Sequence, residues 1–332
     1  MDTDILKARH GLLKAIRDFF YRNDYLEVET PFLSQCAAPD AYIEPLRVFV
    51  GAAGPFFLHT SPEMGMKKLL ASGHEKIFQV CKVFRVEEFE EHHNTEFTML
   101  EWYMPGTYED AMLETKRLVD SVVSDLDVAD RDFFDRPWKR FDLGELCLEK
   151  AGIHPLSLDE GQLFAAMRDR GIAGIRQDEG WQDLFFKLLI QEVEPRLHES
   201  GPYFIEDWPR HITSMAKRKD DYRVERFELY MKGLEIANGY TELLDPEEQR
   251  RRFLEENEMR RRSGKEPLPV DTTFLEALGR LKGPCAGVSL GVDRLLMVLL
   301  ECETIGDVLP ARFLPSRAQS KVAHLDGVRG DL

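Results

Sequence analysis

The stretch FRVEEFEEHHNTEFTMLEWY, residues 84–103, sets Glu87, Glu88, Glu90, Glu91, Glu96 and Glu101 beside His92 and His93, between flanks that read as buried strand. Carboxylates so dense need cations to face: a metal held by the His–Glu cluster, a basic partner, or a small substrate carrying an amine together with magnesium. Neighbouring residues of a strand point to opposite faces, so His92 and His93 cannot readily chelate one ion. The helical H-E-x-x-H arrangement is absent too, and a zinc site is not expected. EEFEEHH reads instead as a solvated loop tip between two strands, with Glu88, Glu90 and Glu91 at the surface. Its flanks read differently. Arg85 ends one strand, and Phe97, Met99, Glu101 and Tyr103 share one parity on the next, so a hairpin presents an aromatic ring, a carboxylate and a phenol to one side. A carboxylate inside MLEWY is costly to bury unless it meets a cation.

Outward from this hairpin, residues 4–22 carry Ile5, Leu12, Leu13, Ile16, Phe19 and Phe20 at helical spacing, and YLEVETPFL follows as a strand stopped by Pro31. FFLHT and KIFQVCKVFRV read as strands and PEMGMKKLLAS as a helix. Residues 108–200 turn helical, through LETKRLVDSVVSDL, DEGQLFAAMRDRG and WQDLFFKLLIQEVEPRL, and read as an inserted helical region. Strands return in RVERFELYMKGLEIANGYTEL, a charged helix spans Pro246 to about Arg262, and AGVSLGVDRLLMVLLE closes the core as strand then helix. Strands interrupted by helices around an antiparallel core make an α+β fold rather than alternating βαβ units. The expected catalytic domain covers residues 1–317, and the polar stretch 318–332 reads as a loose tail.

The composition, 43% hydrophobic and 31% charged, is that of a globular enzyme rather than a disordered chain. LLMVLL is too short to span a bilayer and MDTDILKARH lacks the apolar run of a signal peptide, so a cytoplasmic protein is expected. The five cysteines are scattered, with no C-x-x-C pair, which argues against a disulfide framework or a zinc ribbon. The net charge of −16 disfavours a protein that grips a long nucleic acid and favours a small cationic substrate or a basic protein partner. The runs Arg250–Arg252 and Arg260–Arg262 alternate with glutamates and read as a solvated helix with charge pairs along it, not as an RNA surface.

A second acidic pair lies in FELYMKGLEIANGY. A hairpin turning at Met231–Lys232 would set Glu228 opposite Glu235, an unfavourable pairing that becomes useful with a hard dication between them. Asn238, Tyr240 and Glu242 share one parity and offer amide, ring and carboxylate to an ammonium. In GVSLGVDRLL, glycines 287 and 291 allow close approach of a planar ligand, and Arg294 in the first turn of a helix suits a base or a phosphate. This is neither the dinucleotide G-x-G-x-x-G nor a P-loop.

Together these segments resemble the class II aminoacyl-tRNA synthetase catalytic core, and within it the lysyl branch. The matching stretches are FFYRNDYLEVETPFL, TSPE at 60–63, FR-x-E at 84–87, HN-x-EFTMLEWY at 93–103, EIANGYTEL at 235–243 and GVDR at 291–294, in the right order to about residue 316. The first helix begins within a few residues of Met1, which leaves no room for the anticodon-binding domain of lysyl-tRNA synthetases, and a free-standing core of this kind resembles the elongation factor P lysine ligases. That resemblance implies an ATP-dependent, magnesium-using ligase. Such an enzyme activates (R)-β-lysine or lysine as an acyl adenylate and passes it to a lysine side chain of elongation factor P. The alternatives are a lysine-adenylating enzyme acting on tRNA and an inactive paralogue with a binding role. It further implies a homodimer built through the opening helix and strand.

By the same resemblance, Arg85 meets the α-phosphate and the substrate carboxylate, Glu87 and Asn94 bind ATP, and Phe97 and Arg294 sandwich the adenine. Ile236 and Gly291 also lie against the nucleotide, and Glu228 and Glu235 hold magnesium. Ser61, Pro62 and Glu63 lie near the substrate's amino group, while Glu101, Tyr103, Asn238, Tyr240 and Glu242 receive the distal ammonium. Three positions depart from the pattern: Val86 replaces the usual Asn, Thr95 the usual Pro, and Ser289 a residue that is glycine in the synthetases and alanine in the ligases. A side chain at Ser289 narrows the α-amino pocket and leaves α- and β-lysine both open.

Overall fold

The computed structural model describes residues 3–86, 91–197, 201–212 and 214–309. Glu87, Glu88 and Glu90 and the expected tail 318–332 therefore lie outside the described residues.

Helix α1 (Thr3–Arg22) buries Leu12, Ala15, Ile16, Phe19 and Phe20 along one stripe, as their spacing predicts. The strand expected over YLEVETPFL shrinks to β1 (Leu26–Glu27) and β2 (Leu33–Ser34), since Pro31 between them has no N–H for a ladder. Next come β3 (Arg47–Val50), β4 (Ala53–Leu58), α2 (Glu63–Leu70), β5 (Ile77–Phe84) and β6 (Glu96–Pro105). The segment expected to be a helical insertion holds α3 (Tyr108–Asp125), α4 (Arg131–Phe134), β7 (Lys139–Asp142), α5 (Leu143–Ala151), α6 (Glu160–Asp169) and α7 (Trp181–Leu188). It is not helix alone. β7 pairs in parallel with β8 (Tyr203–Glu206) and extends the main sheet, while α3 packs on the main core. The chain then runs through β9 (Arg226–Met231), β10 (Leu234–Thr241), α8 (Pro246–Arg262), α9 (Thr272–Leu278), β11 (Cys285–Gly291), α10 (Val292–Leu300) and α11 (Ile305–Val308).

The main sheet has eight strands in the order β1-β5-β6-β11-β10-β9-β8-β7, antiparallel throughout except for the two outermost pairs. β2, β4 and β3 form a small antiparallel sheet of their own. Period-2 alternation divides the main sheet into two faces. One face carries Leu100 and Trp102 of β6, Phe227 and Leu229 of β9, and Val288 and Leu290 of β11, all packed under α1, α3 and α10. The other face turns Glu101, Tyr103, Glu228, Asn238, Tyr240 and Ser289 toward an open cleft.

Two readings change here. The β9–β10 hairpin turns at Lys232–Gly233, both at positive φ (49° and 79°), because Gly233 adopts that conformation without strain and such a two-residue turn matches the strand twist. Tyr230 therefore faces Glu235 and Glu228 faces Asn238, not Glu235. A register shift between Glu235 and Ala237 makes Ile236 an extra residue, which brings Glu235 onto the same face as Asn238 and Tyr240. Second, α8 is not wholly solvated: Arg252 and Arg260 are buried. Arg260 bonds the carbonyl oxygens of Asp40 and Glu266 and the Glu44 carboxylate at 2.6–2.9 Å. The Glu256 carboxylate accepts the Ala41 N–H at 2.9 Å, and Lys265 just beyond the helix donates to the Ala41 carbonyl at 2.6 Å. The loop 38–44 over the cleft is thus held from the α8 side.

Candidate active site

Two cavities, of about 280 and 200 Å³, open along the cleft face and share Ile43, Arg85, Arg226, Asn238 and Ser289 on their walls. The larger is lined by His92, His93, Asn94, Phe97, Glu228, Glu235, Ile236, Gly291 and Arg294, the smaller by Ser61, Glu63, Glu101, Tyr103, Tyr240 and Glu242. The structure thus brings together every described residue expected in the site except Pro62, which lines a neighbouring cavity.

In the larger cavity, the β5–β6 hairpin delivers Arg85. Its N–H bonds the Thr95 carbonyl, its Nε donates to the Thr60 carbonyl at 3.2 Å, and its guanidinium lies 5.2 Å from the centre of the Phe97 ring. The expected stack of Phe97 with a base therefore has one ring face already occupied by Arg85. Of the two departing positions in this hairpin, Thr95 accepts the Arg85 N–H through its carbonyl, and the Val86 N–H bonds the Glu44 carbonyl. Asn94 is buried and donates to the Glu96 carbonyl. Arg294 is fixed by loop and strand: Nε to the His92 carbonyl at 3.3 Å, Nη1 to the Glu235 carbonyl at 3.0 Å, and Nη2 at 2.8 Å from His93 Nε2. His93, read from sequence as loop tip, is thus part of the cavity wall. The turn that begins α10 is anchored underneath by Asp293, which meets Arg9 at 2.6 Å and accepts the Thr98 N–H at 2.6 Å.

Glu228 is buried beside Arg226, at 2.5 Å, and Tyr230, whose hydroxyl donates to it at 2.8 Å. Burial first, and the charge of Glu235 second, push its carboxyl up to about 8. A buried carboxyl of this kind, with the Glu235 carboxylate on the wall of the same cavity, suits a hard cation shared with phosphates, so Glu228 and Glu235 fit magnesium, which needs few protein ligands. Among the described residues no group of three or more His, Cys, Asp or Glu side chains forms a metal cage. Arg226 went unnoticed in the sequence. It bonds the Asn238 amide oxygen at 3.1 Å and stacks 4.6 Å from Trp208, joining the two cavities.

The smaller cavity is a box of buried acids. Glu101 takes hydrogen bonds from the neutral hydroxyls of Ser61 (2.6 Å) and Tyr103 (2.7 Å), and burial followed by the charge of Glu63 raises its carboxyl to about 7. Glu242 is raised to about 8, chiefly by burial, against the lowering influence of Lys67. Its Oε1 has no hydrogen-bond donor among the described residues. An orphaned, buried acceptor of this kind asks for a donor from a ligand. Glu63 accepts from the Tyr240 hydroxyl at 2.5 Å. Gly287 is what makes the box possible: a Cβ there would stand 2.5 Å from both Glu242 Oε1 and the Tyr103 ring. Gly291 differs, since a Cβ would meet only Arg294 atoms at 3.8–3.9 Å; its value is the open space it leaves toward the cavity.

The model of the family described as tRNA synthetases class II (D, K and N) matches residues 2–311. The elongation factor P–(R)-β-lysine ligase of Pseudoalteromonas translucida is 40% identical over 313 residues, 92% of this chain and 94% of the relative. The proteins of the same name from Pectobacterium atrosepticum and Salmonella typhi are 40% and 38% identical over 314 and 312 residues, each match covering 92% of this chain and 93% of the relative.

Proposed function

The chain belongs to the class II tRNA synthetase family (D, K and N), and from that premise we propose that it is an ATP-dependent, amide-forming ligase. It activates (R)-β-lysine, or lysine, as an acyl adenylate and transfers the acyl group to a lysine side chain of elongation factor P. One observation carries this reading: a single cleft holds a group of carboxylates, Glu63, Glu101 and Glu242, at one side and the Arg294 guanidinium at the other, with the Arg85 guanidinium on the wall that the two cavities share. Such a cleft matches an amine-bearing substrate laid against a nucleotide.

In this reading Glu101, Glu242 and the Tyr103 hydroxyl take the distal ammonium, and Ser61 and Glu63 lie near the other amino group. The ligand's carboxylate then points past Asn238 and Ser289 toward Arg85. The carboxylate oxygen attacks the α-phosphorus of ATP, forming a C–O–P link while pyrophosphate leaves. Arg85 and Arg294 stabilise the negative charge that develops there, a catalysis of position and electrostatics. Asn94, Ile236 and Gly291 form the nucleotide wall, with Phe97 presenting its ring. Glu228 and Glu235 would hold magnesium, which supplies neutralisation of phosphate charge. The acceptor's neutral amine next attacks the acyl carbon, loses a proton, and AMP departs. A protein acceptor rather than tRNA is favoured by the net charge of −16, unsuited to a polyphosphate chain, and by the names of the relatives. The protein works in the cytoplasm as a homodimer; a monomeric mass at micromolar concentration in solution would overturn that assembly.

The test is pyrophosphate exchange with α- and β-lysine, followed by mass analysis of elongation factor P and of tRNA after incubation. A single lysyl gain on the protein and none on tRNA is expected. Charging of tRNA, or the absence of any exchange, would overturn the reading.

A further inference from the structure

Lys67 is the one fully buried lysine among the described residues, and it lies outside the roles assigned so far. It sits on α2 one turn after Glu63, and its ammonium contacts both Glu63 and Glu242. It also stands 3.8 Å from Met215 Sδ and 5.5 Å from the Tyr240 ring centre. It does not line the acid box; it stands behind its wall. Three carboxylates, Glu63, Glu101 and Glu242, face the box, and Lys67 compensates one of them. When all three are ionised the surplus is two negative charges, which a ligand with two ammonium groups neutralises.

We propose that Lys67 is a positioning residue that sets the charge of this cavity, so that the ligand it accepts must carry two ammonium groups. The inference rests on the reading of the cavity as a diamino-acid site and adds to it the reason for that selectivity. An isolated buried pair of carboxylates takes up a proton instead of staying doubly ionised. Burial, the largest influence on Lys67, favours its neutral form, yet Glu242 and Glu63 outweigh it and hold the ammonium charged. In return Lys67 counters the effect of burial on Glu242 and orients its carboxyl, with Oε1 left for the ligand. The groups that face this pair are Glu63 on α2, Glu101 and Tyr103 on β6, Tyr240 on β10 and Cys285 on β11, with Arg85 and Arg226 at the far wall. The two cations of that far wall contact other groups, Arg85 the Phe97 ring and Arg226 the Glu228 carboxylate, whereas Lys67 contacts Glu63 and Glu242.

The experiment measures calorimetric Kd values of lysine and β-lysine between pH 6.5 and 8.5 for the wild type, Lys67→Met, and the double variant Glu63→Gln/Lys67→Met. Without the lysine, one more carboxyl than in the wild type stays protonated until the ligand displaces its proton. The single variant should then bind at least about tenfold more weakly at pH 6.5, and the gap should close by up to about tenfold per pH unit, the slope of one extra linked proton. The double variant restores the charge count and removes the unpaired ion, so its pH dependence should run parallel to the wild type whatever its absolute affinity. A Kd ratio constant across pH, wild-type affinity in Lys67→Met, or an added pH slope in the double variant would overturn the proposal; the last criterion holds even if the single variant does not fold. Failure of the wild type to bind any diamino acid would instead sink the functional reading beneath it.

Discussion

Glu101 shows what a single residue discloses. Its place inside MLEWY, at the parity of Phe97 and Tyr103, makes it a strand carboxylate that must be buried, and the structure puts it in the acid box with, among the described residues, the Ser61 and Tyr103 hydroxyls as donors to its two oxygens. Glu101→Gln keeps the shape and removes the charge that would meet an ammonium. Hydrogen bonds to charged groups contribute roughly 1.5–3 kcal/mol, so KM for lysine in pyrophosphate exchange should rise roughly ten- to hundredfold while kcat changes little. An equal fall in kcat with unchanged KM would instead place Glu101 in the chemistry. Lys67 was not legible in the same way. A lysine four residues after a glutamate on a short helix has the sequence signature of a solvent-exposed pair, and only the distant Glu242, brought alongside by the sheet, turns it into a buried cation. Arg226 and His93 escaped for a related reason: their partners Asn238, Trp208 and Arg294 lie on other segments, and local pattern carries no record of them.

At the scale of elements, the longest and most regular were legible. α1, α3, β5, β6 and the β11–α10 unit stand where their apolar patterns placed them, each contributing to the main core, and α8 spans the charged stretch expected for it. Two-residue strands such as β1, and edge strands such as β7, lack enough residues for alternation to show. The bulge at Ile236 was invisible as well, since register is set by pairing and turn geometry rather than by composition. Helix α8 illustrates the opposite failure, in which a correct element carried a misread face. Arg260, inside a charged run, is completely buried and grips the loop that roofs the cleft. Removing one partner of a buried, multiply bonded cation strands several acceptors. Arg260→Met should therefore lower unfolding free energy by roughly 3 kcal/mol, near the low end for broken buried pairs because Glu44 is partly exposed. Urea denaturation checks this, and a loss below about 0.5 kcal/mol would show that the loop is held without the arginine.

The whole molecule carries its cost of function in charge. Glu101, Glu228, Glu242 and Glu256 all have carboxyls raised to about 7 or 8, principally by burial. In the unfolded chain a glutamate titrates near 4.3, so between roughly pH 4.5 and 8 the native state holds more protons than the unfolded one. Stability must then fall as pH rises through that window, and the fall ends above the native values near 8. Two histidines, His59 and His211, act in the opposite sense below about 6.5, since burial lowers their pKa and the unfolded chain binds their protons more readily. Carboxylates held low by partners, Glu248 at about 2 among them, have delivered their stabilisation well below this range. The interval from pH 6.5 to 8 is therefore governed by the raised glutamates. A diamino acid in the acid box, or magnesium between Glu228 and Glu235, supplies the missing positive charge and lowers those same pKa values. Ligand-free Tm should thus decline from pH 6.5 to 8, and the rise in Tm produced by saturating lysine, β-lysine or ATP with magnesium should be larger at pH 8 than at 6.5. Scanning calorimetry at fixed ionic strength reads both slopes. A ligand-free Tm that climbs across the interval would mean that these carboxylates are already compensated in the free protein, and that the acids of the cleft are not held in wait for a cation.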